Sequence, residues 1–287
     1  MQNLAEKILF ATRPHMIDPM KRVFHIVDTL SIRLLIDWKV FDAIPMEEAV
    51  SYADLASKVD AEESIRRGPR HLHQDARVLR PLRLRRVMEA MGSVQLGPMV
   101  AASYDFGWVR GRVAEAEERD RVLFVDVGGG KGHVTKAVLA QNGFIPRRLA
   151  VLEDREEVVR AVAEAGEPGL EGVRLQGHDF HTEQPIKNAL MYTICRYIHD
   201  YGEEVAVKMM RHLRDAMAPD SKLLIAECVM GDPPTSFETM MDFIMIDLGG
   251  KERTAKEWAE LAARAGLRVE NIHGAGREIQ VVECVKV

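Results

Sequence analysis

VLFVDVGGGKGH, residues 122–133, is the stretch that decides the fold. It opens as an apolar, β-branched run, VLFVDV (122–127), which reads as a strand. HVTKAVLAQ (133–141) then has helical character. Between them Gly128, Gly130 and Gly132 spell G-x-G-x-G. A strand, a glycine turn and a helix in that order form the first βα unit of an open α/β sheet. Glycine permits the tight turn and lets a ligand approach the backbone closely. Ligands of such sheets bind at the carboxyl ends of the strands, so this turn forms one wall of a candidate site.

The alternation continues outward from there. RLAVLED (148–154) reads as a strand and REEVVRAVAEA (155–165) as a helix. VRLQGHDF (173–180) and ALMYTICRYI (189–198) are strands, EEVAVKMMRHLRDAMA (203–218) is an amphipathic helix, and KLLIAECVM (222–230) is a strand. Thr254 and Glu257 form a capping box before another helix. LRVENIH (267–273) and EIQVVECVKV (278–287) finish the chain as two strands joined by a short glycine-containing loop. The pattern predicts a mostly parallel sheet with helices on both faces and an antiparallel hairpin at its edge.

The turn admits three nucleotide readings. A Walker A loop needs G-x-x-x-x-G-K-[ST], but Val125 holds the first glycine position and Gly132 follows Lys131. A dinucleotide fingerprint needs G-x-G-x-x-G, and His133 stands where the third glycine belongs. The G-x-G-x-G form preceded by Asp126 suits S-adenosylmethionine, which has no pyrophosphate to cradle. A purely structural glycine turn is the plain alternative. An acid about twenty residues on can accept both ribose hydroxyls, and Glu153 and Asp154 stand there.

Composition narrows the field. With 287 residues, 47% of them hydrophobic, the chain can bury a real core. A net charge of −5 argues against a dedicated nucleic-acid binder. Cys195, Cys228 and Cys284 are too few and too scattered for a disulfide framework or a zinc site, so no metal is expected. The first residues, MQNLAEKILFATRP, hold only a short apolar run, and no stretch approaches the roughly 18 apolar residues that a membrane span needs. The expectation is a cytoplasmic protein without a membrane partner.

The first third reads differently. Residues 24–44 carry Phe24, Val27, Leu30, Leu34, Leu35 and Val40 near helical spacing, and Pro45 ends the run. Ser51 and Asp54 resemble a capping box before a short helix carrying Leu55 and Val59. Residues 66–86 hold eight arginines, two prolines and one acid. A basic run could meet phosphates, but it lacks aromatics for base stacking, and a solvated linker or irregular insertion is the plainer reading.

VLFVDVGGGKGHV, VLEDREEVV, HDF at 178–180, IHDYGEE at 198–204, LLIAECV and GGKERT at 249–254 follow one another in a recognisable order and spacing. Together they resemble the plant and fungal class II small-molecule O-methyltransferases, a family similar to caffeic acid O-methyltransferases and fungal polyketide-tailoring enzymes. The resemblance covers most of 87–287 and, more weakly, 15–65. It implies a seven-stranded Rossmann-like sheet of order 3-2-1-4-5-7-6 over 105–287. It also implies a partial winged-helix, dimerisation-like helical lobe over 1–104, and with it a possible homodimer. By that resemblance Asp126, Gly128, Gly130 and Gly132 would line the methionine part of S-adenosylmethionine, Asp154 would bind the ribose, and Asp179 and Phe180 would contact the adenine. His199 falls on the family's catalytic base, Glu227 and Glu252 on the two acids flanking it, and Asp200 stands beside it. The chain departs from the family in having Tyr201 for a tryptophan, Cys195 where a basic residue is common (with Arg196 one position later), and the arginine-rich stretch in place of the lobe's middle.

These residue types fit methyl transfer to a hydroxyl. A methyl on a sulfonium is already activated, so the protein must align the acceptor oxygen and remove its proton. A phenol with a pKa near 10 is mostly protonated at pH 7, and a neutral histidine can take that proton. A carboxylate on the other ring nitrogen fixes the tautomer; Glu252 or Glu227 could do this. Met230, Met240, Met241 and Met245, with Met88 and Met91, could sandwich a flat ring or simply pack the core. Two other functions remain open: an inactive relative that regulates or scaffolds a partner, and a cofactor-bound enzyme of non-methyl chemistry in the same pocket. A strand-end histidine with no chemistry is the structural alternative for His199.

Overall fold

The computed structural model describes residues 96–235, 238–239, 241–242, 245 and 250–287. The helices expected over 1–65, the arginine-rich stretch 66–86, and Met88, Met91 and Met240 lie outside the described residues. Elements are numbered over the described residues. The compact unit that holds them begins at Gln95, ahead of the expected boundary at 105, and opens with helix α1 (Leu96–Ser103).

Seven strands form one sheet: β1 (Phe124–Val127), β2 (Ala150–Asp154), β3 (Arg174–Gly177), β4 (Met191–Cys195), β5 (Lys222–Glu227), β8 (Leu267–His273) and β9 (Gln280–Lys286). Their order is β3-β2-β1-β4-β5-β9-β8. The first five run parallel, and β9 pairs antiparallel with both β5 and β8. This is the expected order, with the last two strands as an edge hairpin. A separate pair joins β6 (Val229–Met230) to β7 (Arg253–Thr254).

Alternating side chains on β1 build both layers. Val125 and Val127 point into a core shared with helices α5 (Glu203–Ala216) and α6 (Ala255–Ala265), through Val207, Met210, Trp258 and Leu261. Phe124 points into the opposite core with Val100 of α1 and Val134 and Val138 of α3 (His133–Gln141). Short helix α2 (Val113–Glu118) and helix α4 (Glu156–Ala165) lie between them in the chain, and residues 238–239, 241–242 and 245 are also helical. α4 starts with Glu156 and Glu157, which suit the positive helix end, and stops at left-handed Gly166. The Thr254–Glu257 capping box is formed in both directions.

Several strands are shorter than their apolar runs. The run 189–198 leaves the sheet after Cys195, because Arg196 adopts φ +59° and Ile198–Asp200 coil into a 3₁₀ turn. The run 173–180 leaves after Gly177, and 222–230 breaks at Cys228 to start the smaller sheet. Each break falls at the carboxyl edge, where polar side chains must be released toward a site.

Two buried polar residues hold the layers. The Tyr192 hydroxyl, fully buried, accepts from Ala189 N at 3.1 Å and lies 2.7 Å from Ile186 O and 3.1 Å from Ala216 O. Arg253, also fully buried, donates to Tyr201 O at 3.1 Å and to Ile198 O at 3.4 Å, reaches Glu203 Oε1 at 3.3 Å, and covers the Trp258 ring. It fastens the 3₁₀ turn to α5 and α6. Tyr192→Phe should lower the unfolding free energy in urea by about 1–3 kcal/mol, since it strands buried backbone groups. Arg253→Met should cost on the order of 3 kcal/mol and lower Tm, because it strands two carbonyls at once. Unchanged stability in either variant would contradict these roles.

Candidate active site

The glycine turn leaves β1 at Gly128, which has φ +71°. A Cβ there would lie 2.7 Å from the Tyr197 ring, so only glycine satisfies both the backbone and the contact. Above Gly130 a Cβ would meet nothing within 4 Å among the described residues. The Gly130 N–H donates to Asp154 Oδ2 at 2.8 Å, and Arg155 N–H donates to Asp154 Oδ1 at 2.8 Å. Asp154 therefore stands oriented at the rim of the turn. Its neighbour Glu153 does not reach the rim. It is fully buried on the other face, accepting from Gln184 Nε2 at 2.8 Å, and burial pushes its pKa up to about 7 despite that bond.

Asp126 faces the start of α3. Its Oδ2 accepts from Thr135 N at 3.1 Å and Thr135 Oγ1 at 2.6 Å. Burial raises its pKa to about 6, against the lowering effect of both Thr135 bonds. Asp126 thus ties the turn to the helix from behind. Gly132 closes the turn as the N-cap of α3.

Past β3, exposed Asp179 accepts from His181 N at 2.9 Å and Thr182 Oγ1 at 2.6 Å (through its own carbonyl), which shapes a tight bend. Half-buried Phe180 lies 5.1 Å from Tyr197 and 6.4 Å from Tyr201, ring centre to ring centre. His181 Nε2 is 3.2 Å from the Tyr201 hydroxyl. An aromatic shelf thus runs from the glycine turn to Tyr201.

The histidine cluster begins two residues after Tyr197. Glu227, at the end of β5, directs Oε1 at three successive backbone N–H groups: Tyr197 at 3.1 Å, Ile198 at 3.0 Å and His199 at 3.4 Å. A carboxylate accepting several amides is a strong local restraint, and it fixes the 3₁₀ turn. His199 is 2% exposed. Its Nδ1 lies 3.0 Å from Glu252 Oε1 and 3.5 Å from Glu227 Oε2. A proton on Nδ1 donates to Glu252, which leaves Nε2 as the acceptor. Nε2 lies 3.4 Å from Asp200 Oδ1. Glu252 is held in turn by its N–H, which donates to Asp242 Oδ1 at 2.9 Å, and Lys251 N–H donates to His199 O at 2.9 Å. The close approach of the two segments needs Gly250: a Cβ there would be 1.9 Å from His199 O.

Burial alone would lower the His199 pKa. The Arg196 charge acts in the same direction, but the Glu227 charge first, then the Glu252 bond and charge, together outweigh both and raise it. Burial raises Glu227 and Asp200, whereas at Glu252 the His199 bond and the Arg196 charge outweigh burial and bring it down.

The sequence-identified residues thus gather into two neighbouring groups: Asp126, Gly128, Gly130, Gly132 and Asp154 at the turn, with Phe180 and Asp179 beyond Tyr197, and His199, Asp200, Glu227 and Glu252 at the histidine. Sequence reasoning singled out Arg196 only as a basic residue beside Cys195, and it missed Tyr197, Arg253 and Asp242. Asp242 contacts the cluster from a separate segment, and no spacing rule signals that. Met241 and Met245 are buried.

A family model for the O-methyltransferase domain matches residues 118–268. Among curated proteins, Methyltransferase cfoD of Aspergillus candidus is 38% identical over 191 residues, 65% of this chain and 47% of that protein. O-methyltransferase mpaG of Penicillium brevicompactum is 41% identical over 157 residues, 53% of this chain and 38% of its own length. The chain spans about half the length of the curated relatives it matches first. Among solved structures, CalO1, a methyltransferase in calicheamicin biosynthesis in its SAH-bound form, is 25% identical with a TM-score of 0.59, covering 88% of this chain and 67% of CalO1. No described helix is long and apolar enough to cross a membrane. The glycine turn, the strand order and the match across 118–268 agree, and the chain belongs to the O-methyltransferase family.

Proposed function

We propose that the protein methylates a hydroxyl of a small aromatic or polyketide-like molecule with S-adenosylmethionine as donor, and that His199 is the general base. The observation that carries this reading is the 3.0 Å contact of buried His199 Nδ1 with Glu252, which leaves Nε2 to accept a proton. The donor supplies a methyl group already activated on a sulfonium. The space over Gly130, open among the described residues and with the Asp154 carboxylate at its rim, fits a ligand that carries ribose hydroxyls. Gly128, Gly130 and Gly132, backed by Asp126, would hold its methionine part, Asp154 its ribose, and Asp179 and Phe180 its adenine. CalO1, solved with the demethylated form of this molecule, supports the assignment.

The proton then has a defined course. Nε2 takes it from the acceptor hydroxyl, and the resulting imidazolium is stabilised by Glu252 on Nδ1. Asp200 at 3.4 Å adds negative charge beside Nε2. Glu227 holds the turn through three amides and so keeps the ring in place. Burial of the ring excludes water, which strengthens these interactions.

Incubation with labelled S-adenosylmethionine and a panel of phenols should transfer label to one of them. His199→Ala should lower turnover by about 10²–10⁴-fold while calorimetry still detects donor binding. Label transfer would also exclude a purely scaffolding role and non-methyl chemistry. Absence of donor binding, or unchanged turnover in His199→Ala, would overturn the proposal. The base works only when neutral, and its pKa is raised. kcat/KM should therefore fall as pH drops through a limb lying above the ordinary imidazole value of about 6.5. A rate independent of pH between about 6 and 9 would contradict this.

A further inference from the structure

The histidine cluster poses an electrostatic problem. Glu252 and Glu227 stand at 3.0 and 3.5 Å from Nδ1, and Asp200 at 3.4 Å from Nε2. Carboxylates at such distances favour imidazolium strongly. A histidine that is already protonated at working pH cannot act as a base. Among the described residues, the same cluster contains one buried cation at hydrogen-bond distance. Arg196 is 9% exposed, and its Nη1 donates to Glu252 Oε1 at 3.1 Å. That is the very oxygen His199 Nδ1 meets at 3.0 Å. Two donors, one fixed in charge and one titratable, share a single acceptor atom.

The backbone is specialised to put the guanidinium there. Arg196 occupies the left-handed region at φ +59°, which is uncommon for a side chain of its size. Its N–H bonds to Ala226 O at 3.1 Å, one strand over. Such a conformation persists where the surroundings over-determine it, and it clusters at functional sites. Among the described residues the Arg196 Nε and Nη2 have no hydrogen-bond partner, and Glu252 is the carboxylate that Nη1 meets.

We propose that Arg196 is a positioning residue that acts through Glu252: it holds the carboxylate in place and offsets its charge, so that His199 gives up its proton, and becomes able to accept one, at a lower pH than the surrounding carboxylates alone would set. This rests on the general-base reading of His199. The other charged groups facing the cluster do not supply this balance. Asp242, on the segment before Glu252, adds negative charge through its contact with the Glu252 N–H. Lys251 turns its Nζ to Glu203 and Glu257, and Arg253 spends its donors on two carbonyls and Glu203. Arg196 also opposes protonation of His199 directly through its charge.

The test is the titration of the His199 ring by NMR in the folded full chain, beside the pH profile of kcat/KM. Arg196→Gln and Arg196→Met remove the charge, the second keeping an apolar stem of similar length. Both should move the ring titration and the acid limb upward by about one pH unit or more. Rates at high pH should recover toward wild type. Arg196→Lys keeps the charge, and its limb should stay within about half a unit of wild type. The proposal is overturned if the neutral variants that fold titrate His199 at the wild-type pH. It is also overturned if they lose the same factor in rate at every pH, which is what a merely structural role gives. Should no methyl transfer be found at all, the ring titration still decides the matter. It thus separates failure of this proposal from failure of the catalytic reading.

Discussion

A single carboxylate oxygen, Glu252 Oε1, meets both His199 Nδ1 at 3.0 Å and Arg196 Nη1 at 3.1 Å, with all three side chains buried. Taking charges out of water is expensive, and burial is tolerated only where each charge is paired and hydrogen-bonded. This pairing therefore constrains everything near it. Glu252 must be brought to the sheet edge by a segment remote in sequence. The 3₁₀ turn that carries His199 must be held rigid while the ring stays out of solvent.

The fold meets these demands by register. Cys195 lies opposite Ala226, so the chain leaving β4 emerges beside Glu227 at the end of β5. Glu227 then caps three amides of the turn. Val127 lies opposite both Glu153 and Ile194, so the glycine turn opens beside the same edge. Tyr197 spans the two groups, with its ring against Gly128 and its N–H on Glu227. From beneath, Arg253 clamps the carbonyls of Ile198 and Tyr201. Polar residues at the carboxyl edge are thus restrained by strand ends rather than by free loops, which is what a preorganised site requires.

Much of this was legible in the sequence. The period of the apolar runs gave the strands and helices in their right order. The glycine spacing marked the turn, and Thr254 with Glu257 marked a helix start that forms as written. His199, Glu227 and Glu252 were identified through resemblance; the pairing of β4 with β5 brings the first two together, while Glu252 arrives from the segment before β7 of the smaller sheet. What the sequence hid is instructive. Glu153 and Asp154 looked equivalent, yet strand alternation sends one into the core and the other to the rim. The apolar run 189–198 looked like one long strand, but left-handed Arg196 ends it early. Arginine has no propensity that signals such a conformation, so its role depends on contacts with Glu252 and Ala226, both distant in sequence.

The central claim is that the His199 ring, through Nε2, receives the proton of the methyl acceptor. The most direct measurement is a crystal structure of the protein with the demethylated donor and a phenolic acceptor bound together. The account predicts the acceptor oxygen within about 3 Å of Nε2, while Nδ1 keeps its contact with Glu252. An acceptor oxygen seated far from Nε2, or an Nδ1 that has left Glu252 for another partner, would contradict it.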